Sequence, residues 1–281
     1  MKNWRHGTRS DKQAVEAFLR RFEPDTTAII DRTFLSTDSE PDNWWQDLWL
    51  YGQDEVLGVL YTNRFGLCMP FFPSLDRCRE ASRDTSNGPY QPFALVGRDS
   101  DTLNLINRWA PPQLHWHYLS FSILFEDIKN WASEHTSKLR GINCRLARPE
   151  DLDKLLPLEC DYQREEVLTP GMVLYIDGAR VSLEKAIKQQ RIFLAEVGTE
   201  IVAKASVNAS GWKYKQIGGV FTKKMWRNHG VASSLMNFLV QSILEEGRGL
   251  TLFVKRENLP ALRVYGKLGF KPRCSYSIIY Y

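Results

Sequence analysis

Residues 218–232 read GGVFTKKMWRNHGVA, and the rest of the chain is best read outward from them. The β-branched and aromatic run YKQIGGVFT, Tyr214–Thr222, has the composition of a strand. It gives way to a short basic segment holding Lys223, Lys224 and Arg227. Gly230 then opens a long amphipathic helix over about Val231–Glu246. Val231, Leu235, Leu239 and Ile243 share one face of it, Met236 and Val240 lie beside them, and Gly247 stands where a helix stops. A strand that passes through a loop into a helix leaves several unpaired N–H groups at the positive end of the helix dipole. That arrangement binds anions, and two linked phosphates match it well. Gly230 lets the main chain approach an oxyanion where a side chain would collide, and small Ala232 does the same one step on. Taken alone, R-x-x-G-x-A also describes an ordinary helix N-terminus with a glycine, so the order of the flanking elements has to carry the reading.

That order is regular. INCRLA, from Ile142, reads as a strand. Arg148-Pro149-Glu150-Asp151 turns into a helix with Leu152, Leu155, Leu156 and Glu159. A second helix is expected over Leu183–Gln190. The strands RIFLAEV and EIVAKASVNA follow, joined at Gly198. After the long helix come the strand LTLFV, a short helix with Pro260 in its first turn, and a final strand SYSIIYY. Ahead of all this, Asp11 caps a helix with Ala14, Val15, Phe18 and Leu19 at helical spacing. WWQDLWLYG and EVLGVLYTNRFGLCMPFFP read as strands, with a hairpin turn at Gly52–Asp54. Residues 74–92 look like a loop, Phe93–Gly97 like a strand, Asp99–Trp109 like a helix stopped by Pro111-Pro112, and His115–Phe125 like another strand. At about 150 residues per domain, 281 residues favour two domains, and the best boundary lies at Lys138–Gly141: residues 1–140 and 141–281.

With those residues in place, the second half resembles the GNAT superfamily of N-acetyltransferases. Its signature Q/R-x-x-G-x-G/A matches Arg227-Asn228-His229-Gly230-Val231-Ala232. Val220-Phe221-Thr222 looks like the V-Y-T that ends the fourth strand in some members. Asn258 and Tyr265, followed by Gly269-Phe270, look like the N…A…LY…LGF run downstream. The resemblance covers about residues 142–281. It implies an α+β fold with a mixed, mostly antiparallel sheet flanked by helices, acetyl-coenzyme A as acyl donor, and transfer to a primary amine by direct attack. It also implies residue roles. Main-chain groups of Val220 and Thr222 would bond the pantetheine arm, and an N–H near Phe221 would face the oxyanion. Main-chain N–H groups of Arg227, Asn228, His229, Gly230, Val231 and Ala232 would hold the pyrophosphate. Asn258 would bond the pantetheine amides, and Tyr265 would protonate the departing thiolate. The N-terminal half, in the order helix, hairpin, strand, helix, strand, looks like a worn copy of the same core without the R-x-x-G-x-A loop; an unrelated α+β domain is the other reading.

This sequence departs from the family pattern in three places. Lys224 stands where a proline is common. Phe253 stands five before Asn258, where some members carry a glutamate base, and Gln216 occupies another position used for one. Glu165 and Glu166, in the loop after the first helix of the second half, are left as groups able to hold or deprotonate a cationic amine; two exposed glutamates is the plainer reading. The identity of the amine is not legible, and neither is the oligomeric state. A protein that binds an acyl-coenzyme A without turning it over is the rival reading.

Other constellations point less far. His115 and His117 would share a strand face, but no third ligand accompanies them, so no metal is expected. Trp44, Trp45 and Trp49 read as a core seam or as an acceptor groove. Lys213, Lys215, Lys223 and Lys224 sit in a half with 21 Lys and Arg against 14 Asp and Glu, while residues 1–140 hold 16 against 19. No nucleic-acid module accompanies them, and a coenzyme phosphate accounts for the basic group equally well. No uncharged apolar run approaches the ~18–20 residues of a membrane helix, and MKNWRHGTRSDK has no apolar stretch of the secretory kind. Five widely spaced cysteines, Cys68, Cys78, Cys144, Cys160 and Cys274, read as reduced thiols in a cytoplasmic protein.

Overall fold

Unbroken burial along the inner strands dictates a sheet covered on both faces. In Ile192-Phe193-Leu194-Ala195 all four side chains are buried, yet Ile192 and Leu194 pack into one cluster and Phe193 and Ala195 into another. Period two sends successive side chains to opposite faces, so each face needs its own helices. The computed structural model, which describes residues 3–35, 44–84, 91–124, 127, 141–189 and 191–281, supplies them.

The first half runs β1 (Trp4–His6), α1 (Lys12–Arg21), α2 (Glu23–Ile30), β2 (Leu48–Tyr51), β3 (Gly58–Thr62), β4 (Leu67–Phe71), α3 (Leu75–Arg83), β5 (Ala94–Arg98), α4 (Asp99–Leu105) and β6 (Leu114–Ile123). The second runs β7 (Asn143–Leu146), α5 (Leu152–Tyr162), α6 (Ile176–Lys188), β8 (Ile192–Val197), β9 (Glu200–Ser210), β10 (Tyr214–Thr222), α7 (Val231–Glu245), β11 (Gly249–Lys255), α8 (Leu259–Lys267) and β12 (Lys271–Tyr280). Both halves follow one order: strand, two helices, three strands, helix, strand, helix, strand. In both, the fourth and fifth strands are the parallel pair. The layering repeats as well. Helices α5 and α6 cover one face of the second half and α7 and α8 the other. Helices α1 and α2 cover one face of the first half and α3 and α4 the other. The first half is thus a second copy of the same mixed, mostly antiparallel architecture.

The copies share one twelve-stranded sheet in the order β1-β2-β3-β4-β5-β12-β6-β11-β10-β9-β8-β7. At its centre they exchange last strands. β12 pairs with β5 through Tyr276–Tyr280, while β6 pairs with β11 through Tyr118–Ile123. β6 and β12 then pair with each other, antiparallel, from Leu114↔Tyr280 to Ser122↔Lys271. Polar links reinforce the seam. The buried Asp31 carboxylate accepts from Ser210 N at 2.9 Å and from Arg191 Nη2 at 3.0 Å. Asp25 takes Arg273 Nη2 at 2.8 Å, and buried Glu23 accepts from the Lys213 and Tyr214 amides.

The expected boundary at Lys138–Gly141 falls almost wholly on residues outside the description. Three sequence readings need correction. Leu75–Arg83, expected within a loop, is a helix: Ser74 Oγ accepts from Arg77 N at 3.3 Å as its cap, and it buries only Cys78 and Ala81, too thin an apolar stripe to show as periodicity. The helix expected from Leu183 begins at Ile176. Strand β1 and helix α2 went unread, because a three-residue strand has no period and α2 is buried nearly all round.

Residues 141–281 produced without β6 should expose the β11 edge and aggregate, whereas the full chain melts cooperatively; calorimetry and light scattering distinguish the two. Asp31→Ala in the full chain should cost about 2–4 kcal/mol in urea unfolding, since it strips Ser210 N–H of its acceptor and Arg191 of its counter-charge.

Candidate active site

The site begins where β10 leaves its neighbours. β10 runs parallel to β11 only from Tyr214 to Ile217, and its register with β9 slips between Gly218 and Phe221. Gly219 takes φ +57° there, and a Cβ on it would approach Lys204 Nζ to 3.1 Å and Ser206 Oγ to 3.0 Å. Glycine is the residue that tolerates both demands. Beneath this bulge lies Lys204, 1% exposed. Its ammonium donates to Gly219 O at 3.1 Å, meets Glu159 Oε2 at 2.9 Å, and stands 4.1 Å from the centre of the Tyr162 ring. Burial pulls the Lys204 pKa below the ordinary lysine value while Glu159 opposes the shift. Nothing in the sequence pattern singled out Lys204, since a lysine within EIVAKASVNA reads as an outward strand position.

Past Thr222 the chain makes a short 3₁₀ turn at Lys224–Trp226, and Asn228 and Gly230 both adopt left-handed φ, +65° and +76°. Helix α7 follows. Among the described residues, the N–H groups of Asn228 through Ser233 have no acceptor; the first amide used is Ser234 N, bonded to Gly230 O at 3.0 Å. The Arg227 amide, expected to join this set, is instead spent inside the 3₁₀ turn on Lys224 O at 3.3 Å. The Arg227 side chain donates Nε to Thr222 O at 3.0 Å and pairs Nη2 with Glu165 at 2.7 Å. A cleft of about 790 Å³ opens beside the loop, lined by Val220, Phe221, Thr222, Arg227, Asn228, Gly230, Val231 and Ala232. His229 is exposed and does not line it; its Nδ1 lies 2.8 Å from Arg227 O.

Helix α8 closes the other side. Asn258 caps it, Oδ1 accepting from Ala261 N at 3.1 Å, and lines the cleft, so its carbonyl is committed and its amide nitrogen remains to donate. Tyr265 also lines the cleft, two helical turns further on, and is 6% exposed. Burial raises its hydroxyl pKa above the ordinary tyrosine value, and the neighbouring Tyr162 and Glu166 add to the rise. The phenol therefore keeps its proton at neutral pH.

Glu165 and Glu166 lie in a wide π-type turn, Gln163–Val167, that continues α5. Such turns occur often at functional sites. Both line the cleft and neither is free. Glu165 faces Arg227, and Glu166 Oε2 lies 3.0 Å from Lys255 Nζ. Lys255 also sits 4.1 Å above the Trp116 ring, and both line the cleft. Sequence reading missed Lys255 and Trp116. Trp116 belongs to β6, so a residue of the first half forms part of a cleft built by the second. Phe253, at the position where a glutamate was sought, stacks on Tyr276 with ring centres 4.9 Å apart. Gln216 lies away from the cleft, beside Asp25 and Arg98.

The remaining candidates have structural surroundings. His115 Nε2 lies 2.8 Å from Ser277 Oγ with the His117 ring 4.0 Å away, and the described residues hold no cluster of three metal-binding side chains. Trp45 packs on the α1–α2 side of the first half and Trp49 on the α3–α4 side, so both belong to core seams; the Trp44 side chain is outside the description. Lys215 and Lys223 pair with Glu246 and Glu200. No helix among the described residues is long and apolar enough to cross a membrane.

The fourth and fifth strands of this α+β fold thus part over a loop whose amides are unclaimed. Residues 152–270 match the model of the Acetyltransferase (GNAT) family. No curated protein matches the sequence. Among solved structures, a Drosophila protein aligns with TM-score 0.72 at 12% identity, over 100% of this chain and 99% of its own. A GNAT-family acetyltransferase from Colwellia psychrerythraea aligns with TM-score 0.56 at 12% identity, over 99% of each chain. A tandem GNAT protein from the clavulanic acid biosynthesis pathway aligns with TM-score 0.55 at 12% identity, over 98% of this chain and 97% of its own. These likenesses extend across both halves and bear on the fold.

Lys204→Met should lower stability by about 2–3 kcal/mol in urea unfolding, because it leaves the largely covered Glu159 without its counter-charge, and the double variant Lys204→Met/Glu159→Met should recover most of the loss.

Proposed function

We propose that the protein transfers the acetyl group of acetyl-coenzyme A to a primary amine, within one ternary complex. One observation carries this reading: the unclaimed amides of Asn228–Ser233 and the open side of β10 border a single cleft that also holds Tyr265. Amides at a helix N-terminus suit a pyrophosphate, and Arg227 adds a cation once Glu165 yields it. An exposed strand side at Val220–Thr222 suits the amides of a pantetheine arm, which would add to it as a strand does, with the Asn258 amide nitrogen as a further donor. The donor's thioester then lies toward Tyr265, where an N–H near Phe221 would meet the developing oxyanion.

In the proposed reaction the acceptor first gives one proton to Glu166, directly or through a water. Its nitrogen attacks the thioester carbonyl carbon, the new C–N bond forms and the C–S bond breaks. The leaving sulfur takes the Tyr265 proton, and the phenol is restored by the proton the new amide nitrogen loses. One proton reaches solvent per turnover. No nucleophile in the cleft is activated for a covalent intermediate, which favours direct attack. The division of labour we propose puts the chemistry in about residues 141–281 and gives residues 1–140 a wall of the acceptor end through Trp116. A cytoplasmic location, where the cysteines stay reduced, fits this reading.

Calorimetry of the full chain with acetyl-coenzyme A should show one site per chain. Tyr265→Phe should keep that binding and lower kcat about 100-fold, with the acetylated amine measured by mass spectrometry. Because burial raises the Tyr265 pKa, kcat should show no alkaline fall from this group below about pH 10. Binding without turnover over a broad amine panel would turn the assignment toward an acyl-coenzyme A sensor.

A further inference from the structure

We propose that the acceptor is a free amino acid, held as a zwitterion between Lys255 and Glu166; this rests on the acetyl-transfer reading above. Lys255 ends β11 and its side chain is 14% exposed, with Glu166 Oε2 3.0 Å from its ammonium and the Trp116 ring 4.1 Å below it. All three line the same cleft as Tyr265. Glu165, the neighbour of Glu166, pairs instead with Arg227, so the Lys255–Glu166 pair is separate from the one at the loop before α7.

The charge pattern of the cleft is what selects the acceptor. Its lining carries Glu165, Glu166 and Glu257 against Arg227, Lys255 and Arg263. Glu165 is committed to Arg227 at the phosphate loop, and Glu257 and Arg263 are exposed at the rim. The pair of Glu166 and Lys255 is the one left for an acceptor to meet. A plain cationic amine that docked on Glu166 would strip Lys255 of its counter-charge and leave an ammonium almost shut off from water. A polyamine would add a second cation beside it. A protein N-terminus carries no carboxylate next to its amine. An α-amino acid offers both charges a short distance apart: its ammonium replaces Lys255 at Glu166, and its carboxylate replaces Glu166 at Lys255. Each buried charge keeps a partner, and the net charge of the cleft does not change. The Trp116 face gives the substrate a flat apolar wall, and its Nε1–H is a buried donor beside Lys255 with no acceptor among the described residues. With Lys255 drawn to the carboxylate, Glu166 is released to take the proton from the ammonium. Recognition and deprotonation are then one rearrangement of an existing ion pair.

The test is steady-state acetylation by the full chain with acetyl-coenzyme A, using the twenty amino acids, their C-terminal amides, and the corresponding decarboxylated amines and polyamines. The best amino acid should exceed its own amide at least 100-fold in kcat/KM. Lys255→Met, and Lys255→Gln as a second variant, should bring that ratio below ten by raising KM for the amino acid, with coenzyme binding and cooperative melting retained. Amides or simple amines acetylated as well as amino acids would overturn the proposal, as would coenzyme binding with no amino acid turned over, or variants that lower amino acid and amide alike. In each of those cases coenzyme binding persists and only the acceptor assignment fails. Absence of coenzyme binding to the unaltered chain would instead overturn the acetyl-transfer reading and the acceptor with it.

Discussion

The antiparallel pairing of β6 with β12 is the constraint on which the molecule turns. Each strand comes from one half and pairs with the fifth strand of the other. Neither copy therefore has a complete sheet of its own, and the central hydrogen bonds tie the halves into one unit. The same exchange carries Trp116 into the cleft of the second half. The first half thus contributes to the site through a strand rather than through a docked surface.

Among the described residues, the second copy opens a large cleft beside its parallel strand pair where the first does not, and the difference is local. In the second half residues 223–230 separate β10 from α7, long enough for a 3₁₀ turn and two left-handed residues that leave the helix amides unclaimed. In the first half only residues 72–74 separate β4 from α3, and Ser74 caps that helix itself. The space beside the first parallel pair is filled by Arg98, whose guanidinium lies 4.3 Å from the Phe71 ring centre, donates to Phe72 O and bonds Asp101 at 2.7 Å. Burial lifts the Asp101 pKa to about 6, but the Arg98 contact opposes that lift, and the pair acts as a polar plug where the other copy has room for a ligand.

The cleft is laid out as a series of paired charges. Lys204 and Glu159 lie under the β10 bulge, Arg227 and Glu165 at the loop before α7, and Lys255 and Glu166 beside the Trp116 ring. The first pair is buried and holds a backbone shape. In the other two the carboxylates stand nearer solvent, Glu165 at 31% and Glu166 at 30% exposed, while Lys255 is 14% exposed.

Local pattern was enough to read much of this. The helical stripe of Val231, Leu235, Leu239 and Ile243, the strand YKQIGGVFT and the R-x-x-G-x-A loop sit where the letters put them, because periodicity and glycine report backbone geometry directly. Asn258 and Tyr265 were singled out by the resemblance to the N…A…LY…LGF run, and the structure sets them at the cap and on the inner face of one short helix. Lys204, Lys255 and Trp116 were not, since each looks like an ordinary strand residue until the strands beside it are known. The Arg227 amide was misjudged because a 3₁₀ turn, invisible in composition, claims it. The chain's own letters determined the loop between β10 and α7 and the long helix after it, both written within a short span. Only the tertiary structure decided that the two copies trade their last strands and that Lys255 meets Glu166, because such contacts join residues far apart in the chain and no local period records them.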